Sequence, residues 1–193
     1  MKTLFITGVA AAAITFSACN GSSTSTKENS TTGDTSVSQQ SAAPSETKSN
    51  SPVKDVTTAY LQIKNGLAND NGNDAASGAK AFNEALAKVD KSAMSAEQKK
   101  YFEDVADDAK EMAEHISTNA GKIDHQREHF DMLSKDMYDM VKTAGAGQTL
   151  YQDFCPMYND NKGATWLSET KEIKNPYMGK KQPACGSVKE VIR

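Results

Sequence analysis

The feature that most constrains the fold of this chain is an apolar rhythm of three and four residues that runs in four blocks from Val53 to Val141. Val53, Val56, Tyr60, Ile63 and Leu67 make the first block, and Ala79, Phe82, Leu86 and Val89 the second. Phe102, Val105, Ala109, Met112 and Ile116 make the third, and Ile123, Phe130, Leu133, Met137, Met140 and Val141 the fourth. Such spacing puts each set on one face of a helix. The breaks between blocks carry their own signals. The first block stops near Asn69, and Asn71-Gly72-Asn73-Asp74 supplies a turn and an N-cap for the second, which runs to Asp90. Ser95-Ala96-Glu97-Gln98 is close to a capping box for the third, and Asn119 to Gly121 ends it. The fourth runs from Ile123 to about Thr143, and Gly145 and Gly147 terminate it. No helix with one apolar stripe can hide it alone, so short connectors and four stripes predict an all-α, up-down four-helix bundle.

After Gly147 the helical period disappears. Leu150, Phe154, Met157, Trp166, Leu167 and Ile173 are scattered among Pro, Gly and Asn, yet still require burial. An irregular C-terminal wrap over the bundle is expected, with two short strands, at Thr149 to Phe154 and around Trp166. Bundle and wrap together form one domain, residues 53–193, of a size that supports a single core.

The first 52 residues cannot join that core. Lys2 precedes an uncharged stretch, Leu4 to Phe16, too short to span a membrane and ordered like a secretory signal. It ends in Phe16-Ser17-Ala18-Cys19, which resembles the bacterial lipobox and implies a signal peptide over residues 1–19 with Cys19 as lipidated N-terminus. Asn20 to Pro52 is rich in Ser, Thr, Asn and Gln and reads as a disordered linker with a span on the order of 30 Å. The expected location is the periplasm, anchored by lipid at the outer membrane. A net charge of -3 with interspersed signs leaves no basic stripe for nucleic acid.

The residues with the most chemistry are the soft donors. Once Cys19 is assigned to its lipid, Cys155 and Cys185 remain, with Met157 two residues after the first. Thiolate and thioether sulfurs select Cu(I) over hard cations, and an imidazole can complete such a site. His129 falls on the shoulder of the fourth apolar arc, with His125 and Met132 on the same flank, so the three form a donor strip beside the core. Met112, Met137 and Met140, at core spacing, read as packing.

The residues Cys155-Pro156-Met157-Tyr158, Lys162-Gly163-Ala164-Thr165-Trp166-Leu167-Ser168, Ile173-Lys174-Asn175-Pro176-Tyr177-Met178-Gly179 and Cys185-Gly186, with His125 to Phe130 upstream, carry a resemblance. Together they resemble a Bacteroidetes domain-of-unknown-function lipoprotein family, itself similar to the C-terminal extension of Cus-type copper/silver efflux adaptors. The resemblance covers about Val53 to Ile192. It implies soft-metal binding, with a heavy-metal efflux adaptor as the partner. Where this chain has Met178 the family pattern carries Phe, which ranks Met178 behind the other ligand candidates.

Two readings of the sulfurs stand side by side. In one, Cys155, Met157, Cys185 and His129, with His125, Met132 and Met178 as weaker candidates, hold Cu(I) or Ag(I) at a single locus, and the protein is a periplasmic metal buffer or donor to efflux. In the other, Cys155 and Cys185 form a disulfide that stabilises by about 3 to 4 kcal/mol, and the protein is a structural or partner-binding lipoprotein without metal. No Gly-rich phosphate loop, Cys-x-x-Cys, His-Glu-x-x-His or Gly-x-Ser-x-Gly occurs, and the expectation is that the protein is not an enzyme.

Overall fold

The computed structural model describes residues 51–193. The expected signal peptide over residues 1–19, with Cys19, and the expected linker up to residue 50 lie outside the described residues. Four long helices follow one another, α1 (Lys54–Ala68), α2 (Gly72–Ala87), α3 (Ala96–Thr118) and α4 (Ile123–Ala144), and three strands close the chain, β1 (Leu150–Cys155), β2 (Ala164–Ser168) and β3 (Ser187–Ile192).

The helix ends are set by the residues the spacing singled out. Asn71 Oδ1 accepts the Asp74 N–H at 3.2 Å and caps α2. Ser95 and Gln98 make a reciprocal capping box at the start of α3. Gln98 has a second role, because its Nε2 donates to Thr143 O at 2.8 Å and ties the start of α3 to the end of α4. The second helix is shorter than its apolar pattern: it ends at Ala87, and Val89 packs from the connector.

Successive helices pack against each other, and α1 also contacts α4. The approach of α1 to α2 is close because it runs over glycine and alanine. A Cβ on Gly66 would meet the Ala75 backbone, and one on Gly78 would meet the Ile63 backbone. Tyr60, Ile63, Leu67, Phe82, Ile116, Phe130, Leu133 and Met137 are fully buried along the facing stripes.

The C-terminal segment corrects the all-α expectation. It is a three-stranded antiparallel sheet in the order β2-β1-β3, not an irregular wrap with two short strands. The third strand has no clear signature in the sequence because it is an outer strand exposed at Ser187 to Lys189, and the β1–β3 register shifts between Gln152 and Asp153. A bulge adds a residue on one side, so the inward and outward alternation that marks a strand is broken.

Two buried tyrosines attach the outer strand β2 to the helices. Tyr60 of α1 exchanges a 2.8 Å hydrogen bond with Ser134 of α4 and accepts the Leu167 N–H at 3.1 Å. Tyr177 donates to Thr165 O at 2.6 Å. Both hydroxyls take up backbone groups of an edge strand, which is how a sheet edge is closed against a foreign chain. Among the described residues, no helix is long and apolar enough to cross a membrane.

Candidate metal centre

The helices α3 and α4 are joined by only Asn119 to Lys122, so they fold back on each other. Met112 and His115 on the one, and His125 and His129 on the other, stand at comparable distances from that turn. The chain has three histidines, and all three meet at this level of the hairpin. A ligating atom from each of His115, His125 and His129 lies within 4.8 Å of the others. The His115 and His129 rings stack at 4.2 Å between centroids, and His125 meets His129 edge-on at 4.5 Å.

The outer partners of the rings decide which nitrogens are free. His129 Nδ1 lies 3.4 Å from Met112 Sδ. A thioether sulfur only accepts, so Nδ1 carries the proton and the lone pair sits on Nε2. His125 Nδ1 lies 3.3 Å from the Glu128 carboxylate, which likewise fixes the proton there. The two Nε2 atoms then face each other at 3.2 Å. Two lone pairs at that distance repel unless a proton or a cation stands between them. Two nitrogens bound to one tetrahedral ion at bond lengths of about 2.0 to 2.1 Å are themselves roughly 3.3 Å apart, so the pair is already at ligand spacing.

Electrostatics add to this. Burial lowers the His129 pKa below its ordinary value, and the neighbouring His115 and His125 rings lower it further. A His129 ring that disfavours its own protonation keeps its nitrogen available for metal. Exposed Glu111 lies 3.8 Å from His115 Nε2, and with Glu128 it places negative charge at the rim.

The structure divides the sequence-predicted ligands between two places. His125 and His129 come together, joined by His115 and Met112, which were not among the predicted ligands. Cys155 and Cys185 meet each other at the end of β1, with Cys155 buried and Cys185 half-buried. Among the described residues, neither thiol joins His129 in a group of three or more His, Cys, Asp or Glu donors within 4.8 Å. The thiols and His129 thus do not stand at one place in the fold, and the reason is the rotation of α4. His125 and His129 face α3, whereas Arg127 and Ser134 face the C-terminal segment, through Pro176 O and Tyr177.

The exposed Met132 lies on the outside of α4, and Met157 is exposed as well. Met178 packs at the margin of the core. His115 had a readable signal: Met112 and His115 stand three residues apart, on one helix face, before a turn that brings that face to His125 and His129.

The stretch around Asn175 turns out to be a clasp. Asn175 is buried and its Oδ1 accepts the N–H groups of Tyr177 and Met178. Arg127 Nε donates to Pro176 O at 2.9 Å, while its Nη2 reaches Leu67 O and Asp70. Gly179, at φ 54°, passes so close to Asp70 and Arg127 that a Cβ there would meet both side chains.

A family described as a protein of unknown function, DUF3347, matches residues 56–149. The matched stretch holds the three histidines and Met112 and ends before β1, so both thiols lie beyond it. No curated protein and no solved structure matches the chain.

Proposed function

We propose that this protein binds a soft metal ion, Cu(I) or Ag(I), at the α3–α4 imidazole centre. It then serves as an exported buffer or donor to metal efflux. The supporting observation is the pair of Nε2 lone pairs facing each other at 3.2 Å beside a third histidine. Imidazole suits copper, while the Met112 thioether and the Glu128 carboxylate orient the ligand rings from behind. Three neutral imidazoles also suit zinc, and this second reading is tested alongside.

The rest of the proposal concerns the setting. The four helices form an up-down bundle, which the short connectors after α1 and α3 favour. Cys19 carries a lipid that holds the domain at the outer membrane in the periplasm, near an efflux adaptor. The lipobox-like Phe16 to Cys19 supports that placement.

The three histidines make the test direct, since their ring resonances are the full histidine signal of the chain. Adding Cu(I) or Ag(I) to reduced protein under anaerobic conditions should shift all three sets together and saturate at about one ion per centre. His129→Ala or His125→Ala should weaken binding by more than the about 10- to 100-fold that loss of an outer-shell partner costs, and Met112→Leu by about that amount or less. Binding should fall as the pH drops below 6.5, because protons then compete for the nitrogens. Zinc shifting the rings while Cu(I) and Ag(I) leave them unmoved would transfer the centre to zinc. No shift with any of the three would remove the proposal.

A further inference from the structure

Apart from the imidazoles, we infer that Cys155 and Cys185 form a second metal site. It is a dithiol that binds one thiophilic monovalent ion of the Cu(I) or Ag(I) class. The placement starts with register. The β1–β3 pairing ends at Phe154 opposite Ser187, so Cys155 closes β1 at the same end of the sheet where the chain enters β3 from Cys185 and Gly186. The Cys155 thiol and the Met157 backbone N–H both lie within hydrogen-bonding reach of the Cys185 sulfur.

Cys185 is held from every side of its backbone. Its N–H donates to Gln182 O at 3.2 Å, and its carbonyl accepts Asn175 Nδ2 at 2.6 Å. The next residue, Gly186, lies against the Trp166 ring and Phe154 O with no room for a side chain. The clasp thus positions one thiol on another, and such pre-organisation is what a binding site requires.

Coordination number selects the ion. The pair has no third His, Cys, Asp or Glu donor within 4.8 Å among the described residues. Zinc in a structural site takes four ligands and is poorly served by two. A monovalent soft ion is content with two thiolates, and the exposed Met157 thioether stands two residues after Cys155 as a further soft donor. Burial raises the Cys185 pKa, and the Cys155 thiol raises it further. On binding, two S–H bonds are exchanged for two S–metal bonds, both protons go to solvent, and no electron is transferred. The half-buried Cys185 is the way in.

The test uses the full chain, reduced and anaerobic, with Ag(I) as the probe and alkylation of each cysteine read by peptide mass spectrometry, which separates Cys155 and Cys185 from Cys19. Ag(I) should protect Cys185 from alkylation in the wild type. It should do so equally in the triple variant His115→Ala, His125→Ala, His129→Ala, so that failure of the imidazole centre and failure of the dithiol are separate results. Cys155→Ser should weaken the protection by about tenfold or more. Since Cys155 is buried and its replacement can loosen the sheet, Cys185→Ser gives the second reading: it should lower the Ag(I) bound by one ion per chain and abolish the thiolate-to-metal absorption in the ultraviolet. Equal protection in Cys155→Ser, undiminished stoichiometry in Cys185→Ser, or a Cys155–Cys185 disulfide in protein from its native compartment that resists mild reductant would each overturn the site.

Discussion

Asp153 is held at 0 % exposure in the middle of β1, and neither carboxylate oxygen has a hydrogen-bond partner among the described residues. Burial raises its pKa from 3.8 to about 7. The Lys64 charge opposes the rise, and Glu169 adds to it. Lys64 is itself fully buried and already paired with Glu169 at 2.7 Å. A carboxyl with a raised folded-state pKa binds its proton more tightly in the folded state. Its favourable contribution is therefore complete below pH 3.8 and is lost as the pH rises through about 7. Asp153→Asn, which mimics the protonated form, should raise the melting midpoint at pH 8 and leave it nearly unchanged at pH 4. A melting series across that range checks this, and a midpoint lowered at pH 8 would mean that the Asp153 charge is stabilised by its surroundings. His129 runs the other way. Its pKa is lowered by burial first, so the metal-free fold loses stability as the pH falls below 6.5.

Among the elements, the clasp from Asn175 to Gly179 links the sheet to the helices, and Arg127 is its bolt. The guanidinium is 6 % exposed and joins Pro176 O, Leu67 O, Asp70 and Asp124, which brings α1, α4 and the clasp to one point. Removing one partner of a buried ion pair leaves the other groups unsatisfied and costs about 3 to 5 kcal/mol. Asp70 is partly open to solvent, which favours the lower end. Arg127→Met should therefore lower stability by about 3 kcal/mol in denaturant unfolding and expose the clasp to protease before the helices melt. Unchanged stability would show that the tyrosine contacts to β2 suffice. The residues of this clasp stood out in the sequence as neighbours of the sulfurs, and in the fold they act by positioning, because they hold Cys185 where it meets Cys155.

On the scale of the whole molecule, one continuous core extends from Val53 to Ile192, so helices and sheet share their interior. Leu133 lies at its centre with no exposure. Leu133→Ala should cost about 2 to 5 kcal/mol, whereas Lys135→Ala, on the exposed side of the same helix turn, should change stability by roughly 0.5 kcal/mol or less. Equal effects in thermal unfolding would contradict the orientation of α4. That same orientation keeps the α4 imidazoles against α3 and the thiols with the sheet, so a metal-bound melt should respond separately to the two sets. At a hundredfold excess over its dissociation constant an ion bound at either place should add about 2.7 kcal/mol.

What the sequence determined by itself was local. The steps of three and four fixed four helices within a few residues, because helical periodicity is a property of neighbours along the chain, and Ser95 with Gln98 announced a capping box whose partners are three apart. The donor strip of His125 and His129 was legible for the same reason. Three things were decided only by the tertiary structure. His115 joined the centre because a tight turn laid one helix face on another. Strand β3 formed because β1 offered it an edge, while a bulge had erased its own alternation. The thiols parted from the imidazoles because a helix presents opposite flanks to different neighbours, and which flank faces which neighbour is settled by the packing of the whole core.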